Sequence, residues 1–376
     1  MELSGSNCKD LSFDYIIIGS SPVMLLQAIS LAEIGHRVCV LERESQLGGA
    51  WQIYPLRPDL HVEIACHVIE VFPHVYEYLS DIVEVPFITL QNQPIRVHNL
   101  GFRIRYSSRL LVLVAGIRLF LGFIVASFTV NVLRRNNKNN LLNFKSKLKS
   151  FWLYQRSIIF GESIMKGPKF GFVDFINRLI KKCETRGVKF LTFDVNLVNR
   201  VNDQWLVSDK AGNVLSSKYV NSTSSTNLRH VKPGKFESTD YKLTPRYSVL
   251  ISIHKSSIFK NQSYVAFWKD PYVTRISRID HIKYDIDQVC FLVEIKSSKK
   301  IKSDELNTIL RKSLEKSAII TRGAFFDNLG AIDCFYTENE GQLTEGDIDD
   351  GFTCFYSFGN LAAGIARWLE LKKESN

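Results

Sequence analysis

The sequence has no C-x-x-C pair, no cluster of histidine, cysteine and carboxylate at metal-ligand spacing, no internal repeat and no low-complexity tract. Its seven cysteines are scattered and odd in number, which argues against a disulfide framework or a structural zinc site and reads as reduced thiols in a cytoplasmic setting. The opening MELSGSNCKDLS lacks the basic start and apolar core of a signal peptide, so export is not indicated. Nucleic-acid modules are missing too. The net charge of +10, with runs such as KSKLK (145–149) and KSSKKIK (296–302), therefore reads as solvated surface with a bias toward phosphorylated ligands or an anionic membrane face. What is present is ordinary for a folded chain. Its 376 residues, 45% hydrophobic and 23% charged, suffice for two packed domains and exclude disorder.

Glycine is scarce at the place where chemistry would want it. The stretch YIIIGSSPVMLL (15–26) reads as a buried parallel strand running through a tight turn into a helix. A dinucleotide-binding turn uses three glycines, for the turn itself, for close approach of a pyrophosphate, and for packing of helix on strand. Here those places hold Gly19, Ser21 and Met24. Gly35 marks the helix end, and HRVCVLER (36–43) gives a second strand, completing a minimal βαβ unit. That strand carries Glu42, about twenty residues past the turn, where an acid accepts hydrogen bonds from a ribose. ESQLGGAW (44–51) follows, and the adjacent Gly48 and Gly49 permit a second close backbone approach. Two readings stand side by side: a working dinucleotide site, and a structural βαβ that keeps the scaffold without the ligand.

With these motifs in view, GSSPVMLLQAISLAEIGHRVCVLERESQLGGAW resembles the opening of the FAD-binding superfamily of flavin amine oxidases, phytoene desaturases and UDP-galactopyranose mutases. KGPKFGFVDFINRLIKKCETRGVKFLTFDVNLVNRV (166–201) is similar to their glycine-led helix and following strand, and FYSFGNLAAGIARWLE (355–370) to their closing motif, with Asn360 in place of the usual acid. The resemblance implies an α/β fold: a Rossmann-like FAD-binding βαβ domain with an interleaved α+β substrate domain. It implies that FAD is held by Gly19, Ser20, Ser21, Pro22, Glu42, Arg43, Gly48, Gly49, Ala50 and Trp51, by Val195 at the adenine, and by Gly359, Asn360 and Ile365 near the flavin. In layout the mutases are nearest. ACHVIEVFPHVYEYL (65–79) resembles their histidine-bearing segment, placing His67 beside the ring, and DPYVTRISRIDH (270–281) their threonine-arginine-isoleucine stretch, giving Arg275 an anionic group on the substrate. The closing segment departs from theirs, with Arg367 at a different spacing and no tyrosine. The expected function is an FAD-dependent oxidoreductase or sugar-nucleotide enzyme acting on a small molecule, a sugar nucleotide or a lipophilic compound, with no metal; the alternative is a non-catalytic member of the fold. The FAD domain is expected at 1–65, 166–235 and 322–376, and the substrate domain at 66–165 and 236–321.

Two further patterns complete the reading. An amphipathic helix is expected over 67–79, a hairpin or strand pair over 87–97, a helix over 171–187, and a strand-rich region with one lysine-rich helix over 244–321. Residues 110–133 form a largely apolar run with Arg118 as its only charge, flanked by arginines. On an insertion scale the central arginine costs ~3 kcal/mol, which the apolar residues offset. A single crossing would nevertheless put two parts of one fold on opposite sides of a bilayer. The segment is therefore expected to lie on a membrane surface, peripherally on its inner face, or to line a greasy tunnel.

Overall fold

The computed structural model describes residues 12–51, 53–58, 60–63, 69–70, 79–89, 95–98, 103–105, 165–223, 228–238, 242–268, 270–280, 282, 285–297, 301–338, 346–349 and 351–355. The apolar run 110–133, His67, and the closing residues Gly359, Asn360 and Ile365 lie outside them.

Along the chain come β1 (Ser12–Ile18), α1 (Pro22–Glu33), β2 (Val38–Glu42), and the short strands β3 (Ile53–Arg57), β4 (Leu60–Glu63), β5 (Ile69–Glu70), β6 (Phe87–Thr89), β7 (Ile95–His98), β8 (Arg103–Arg105) and β9 (Met165–Pro168). Helix α2 (Gly171–Thr185) precedes β10 (Lys189–Thr192), β11 (Val195–Val201), β12 (Gln204–Asp209), β13 (Val214–Thr223), β14 (Leu228–Lys232) and β15 (Lys235–Ser238). A second group holds β16 (Lys242–His254), β17 (Tyr264–Trp268), β18 (Val273–Ile279), β19 (Gln288–Lys296), α3 (Ser303–Ser317) and β20 (Asp327–Glu338). The hairpin of β21 (Gly346–Asp349) and β22 (Phe352–Phe355) comes last.

The apolar run of β1 is covered on both faces, as a central parallel strand must be. It pairs in parallel with β2 on one side (Ile16↔Cys39) and with β13 on the other (Ile16↔Val220). Beyond these, β10 runs parallel to β2 and β22 parallel to β13. The parallel order is thus β10-β2-β1-β13-β22. Strand β13 serves two partners on one edge: its first half pairs with β12 (Leu215↔Val207) and its second with β22 (Asn221↔Thr353). That division lets the antiparallel run β12-β11-β15-β14 branch from the parallel sheet.

Helix α1 is buried from Pro22 to Leu31, pressed between this sheet and α2. Each large apolar side chain so buried, among them Met24, Leu25, Leu26 and Ile29, contributes roughly 1.5–3 kcal/mol. The helix ends in a Schellman pair, with His36 N–H donating to Leu31 O at 3.1 Å and Gly35 N–H to Ala32 O at 3.0 Å. Gly35 takes the left-handed conformation this closure requires (φ 94°) and returns the chain directly into β2.

The second sheet, in the order β20-β16-β19-β18-β17-β7-β8, is antiparallel except where β17 runs alongside β7. Its strands alternate cleanly. Val249, Ile251, Val289, Phe291 and Val293 point to one face, where Ile309, Leu310 and Leu314 of α3 cover them. Leu250, Cys290, Leu292 and Ile279 point to the other, against Val62 of β4. Strand β20 belongs to this sheet although the sequence order grouped its residues with the first.

Two expectations are corrected. Within 67–79, Ile69 and Glu70 form a strand paired with β9, because a partner about a hundred residues away in sequence overrides the local helical spacing. Among the described residues of 87–97, β6 and β7 do not pair with each other: β6 joins β9, while β7 joins β8 and β17 in the seven-stranded sheet.

Candidate functional site

The parallel order places β1 at the point where the chain's crossovers reverse direction, since β2 and β13 leave it on opposite sides. Ligands of open α/β sheets bind outside the carboxyl ends of the strands at such a switch point. At that end the structure gathers Gly19, Ser20, Ser21, Pro22, Glu42, Gly48 and Gly49.

Gly19 ends β1 with its N–H on Leu41 O at 2.8 Å and φ 92°. A Cβ there would meet nothing within 4 Å among the described residues, so the space before the turn is open. Ser21 is the N-cap of α1 in extended conformation, its side chain makes no capping bond, and the first turn carries no acid. Pro22 occupies a first-turn position, where its missing N–H costs nothing. The cap therefore leaves first-turn amides for an outside acceptor, the arrangement that binds phosphate.

The double glycine closes the other side. Gly49 begins a turn of 3-10 helix, Gly49–Trp51, that includes Ala50, and a Cβ on Gly49 would lie 3.3 Å from Ser21 N and 3.4 Å from Ser21 Cα. Glycine is needed there because two backbones touch. A Cβ on Gly48 would press Ile176 of α2 at 3.3 Å, which is how α2 holds the loop in place.

Glu42 is buried, and four donors reach its carboxylate. Oε2 accepts from Ser20 N–H at 3.0 Å and from the Ser20 hydroxyl at 2.5 Å. Oε1 accepts from Arg43 N–H at 3.0 Å and Glu44 N–H at 3.4 Å. The Ser20 hydroxyl in turn accepts Gly48 N–H at 2.8 Å. Turn, acid and loop are thereby tied at one atom. Spacing alone put Ser20 beside a phosphate and did not reveal this bridge.

The remaining residues fall in three places. Arg43 is exposed and its side chain pairs with Glu44. Trp51 is buried with its ring edge-on to Phe172 at 4.7 Å, so its indole serves the core. Val195 opens β11 two residues after Phe193, whose N–H donates to Glu42 O at 2.8 Å, and it is buried at the same end of the sheet. Met24, in the third glycine's place, is fully buried in the core between α1 and its neighbours.

Arg275 sits far along the chain in β18, opposite Glu294 of β19, and the two form a buried ion pair. Thr274 Oγ1 adds a hydrogen bond to Glu294 Oε2 at 3.3 Å. Sequence reasoning named the arginine and missed the acid, which a cross-strand register alone supplies. Also unforeseen is a polar pair under α1, where Asn221 Nδ2 of β13 donates to Gln27 Oε1 at 3.1 Å.

No protein-family model matches the sequence, and no curated protein matches it. Solved structures do match in shape. An oxidoreductase from Methanosarcina mazei superposes with a TM-score of 0.58 at 11% identity, covering 96% of this chain and 100% of that one. Putrescine oxidase bound to putrescine gives a TM-score of 0.58 at 10% identity, with 97% and 100% covered. Glycine oxidase from Geobacillus kaustophilus gives 0.51 at 10% identity, with 96% and 94% covered. The chain has the fold of these proteins, and the Rossmann-like α/β class expected from the βαβ unit is the class found.

Proposed function

We propose that the chain is an FAD-dependent oxidoreductase acting on a small molecule. One observation carries this reading. At the switch point of the parallel sheet, the backbones of the Gly19 turn and the Gly48–Gly49 loop are in contact, while no described residue fills the space beside Gly19. The first-turn amides of α1, with glycines beside them for close approach, suit the pyrophosphate of an ADP moiety, and Glu42 stands where its ribose would lie. The residues present therefore fit the group. Gly19 would give the phosphates close approach, the first-turn amides of α1 would hold them, the Gly48–Gly49 loop would border them, and Val195 would border the adenine. FAD, when bound, supplies hydride acceptance, and the protein's part is binding, orientation and exclusion of water.

Within this class the amine oxidase and UDP-galactopyranose mutase types are the finer reading, with a small-molecule substrate such as a sugar nucleotide or lipophilic compound. His67 and Arg275 are assigned to its substrate side. Because Arg275 already neutralises Glu294, it would act there as half of an ion pair that an anionic substrate must share. Peripheral attachment to a membrane through 110–133 goes with this reading, supported by the apolar run and its basic flanks.

A second reading, a scaffold without cofactor, is favoured by the four donors that already fill Glu42. The visible spectrum of the purified chain separates the two. Bound flavin gives a band near roughly 450 nm. A colourless protein that stays colourless after incubation with FAD would leave only the scaffold.

A further inference from the structure

We propose that the Ser20 hydroxyl is an internal stand-in for a ribose hydroxyl: it occupies the acceptor position of Glu42 that a nucleotide must take, and it yields that position on binding. The inference rests on the nucleotide-binding reading above and adds a specific residue that sets the affinity of the site.

An ionised carboxylate offers about four lone-pair positions. At Glu42 they meet Ser20 N–H, the Ser20 hydroxyl, Arg43 N–H and Glu44 N–H. Three of these donors are backbone amides, fixed by the turn after β1 and by the chain leaving β2. The hydroxyl alone turns about a single bond. It is also the closest of the four, at 2.5 Å. Its oxygen accepts Gly48 N–H at 2.8 Å, so the hydroxyl can release Glu42 while Ser20 stays anchored to the glycine loop. A ribose hydroxyl arriving at Glu42 therefore replaces one O–H donor by another. The bond it forms is nearly cancelled by the bond it displaces.

The consequence has a sign opposite to that of a simple strut. Removing the hydroxyl leaves Glu42 with an empty acceptor position and Gly48 N–H without its acceptor, which destabilises the ligand-free protein. A nucleotide then fills that position without displacing anything, and binding tightens.

The test uses the full chain and its Ser20→Ala and Ser20→Cys variants, the second keeping the side-chain volume with a weak donor. Melting temperature is measured without ligand, and binding of ADP and of 2′,3′-dideoxy-ADP by calorimetry. The variants are expected to melt lower than the parent yet bind ADP about tenfold more tightly. The gain should vanish with the dideoxy analogue, which has no hydroxyl to offer Glu42. Binding by a variant where the parent shows none also supports the proposal. Equal or weaker ADP binding by variants of a parent that binds ADP overturns the stand-in role and leaves the nucleotide reading intact. Folded proteins that all ignore ADP and FAD overturn both.

Discussion

Two buried carboxylates, one in each sheet, are held in opposite ways. Glu294 in the seven-stranded sheet faces a cation across the strand, Arg275, with Thr274 as a further donor. Glu42 at the end of β2 has no lysine or arginine side chain against it among the described residues; its donors are amides and one hydroxyl. A buried ion pair is closed on itself, because losing either member strands a charge. A carboxylate held by amides and a hydroxyl can exchange a donor with little rearrangement. The comparison teaches where each sheet puts its polarity: the second sheet pairs charges across neighbouring strands, and the first places its carboxylate at the strand end, where it ties the Gly19 turn to the glycine loop.

The largest expected effect breaks the closed pair. Glu294→Gln should cost about 3–5 kcal/mol in urea unfolding, since Arg275 is left buried and uncompensated. Replacing both residues with apolar ones of similar volume should recover most of that loss. Equal costs for the single and double changes would show that packing, not charge, governs the site. Next comes the carboxylate held without a cation: Glu42→Gln should cost only about 1–3 kcal/mol in the same measurement, and should weaken ADP binding more than it weakens the fold. A loss as large as that of Glu294→Gln would erase the contrast between the two sites.

The third prediction concerns contact between the loops at the switch point. Gly49→Ala puts a Cβ 3.3 Å from Ser21 N, so the glycine loop must lift. Stability should fall by about 1 kcal/mol, with a tenfold or greater loss of ADP affinity by calorimetry. Unchanged affinity would remove the loop from the site. The smallest effect lies at the opposite end of β1. Arg37 N–H donates to Asp14 Oδ2 at 2.7 Å, and this bond, opposed by slight burial and aided by the nearby guanidinium, holds the Asp14 carboxyl below its usual range. Its folded-state pKa is depressed, so the contribution is complete above about pH 4 and is lost as pH falls through the folded value. Solvent screening keeps it to about 0.5 kcal/mol or less. Asp14→Asn should flatten the acid limb of the stability curve by that small amount and leave neutral pH nearly unchanged.

The two regions also differ in how much of them the sequence disclosed. The unit β1-α1-β2 was legible because its signals are local: an apolar run, Gly19, a helical pattern stopped at Gly35, and an acid at a fixed distance. Helix α2 and the lysine-rich α3 were legible for the same reason. Strand β5 was not, and β6 and β7 were legible as strands but not in their pairing, since Ile69 pairs with Lys166, Phe87 with Pro168 and Ile95 with Val265, partners no window of sequence contains. The site divides along the same line. Spacing located Gly19, Glu42 and the glycine pair, but whether Ser20 points at a phosphate or at Glu42 is a matter of one side-chain rotation. Arg275 was visible as a residue type, while Glu294 became its partner only through the register of β18 on β19.

The central claim is that the space beside Gly19 and the N-terminus of α1, bordered by the Gly48–Gly49 loop, receives the ADP part of FAD. It is tested most directly by titrating FAD into the purified chain by calorimetry, with and without excess ADP. One FAD per chain, with ADP competing for the same site, is the expected result. FAD that fails to bind, or binds without regard to ADP, would contradict it.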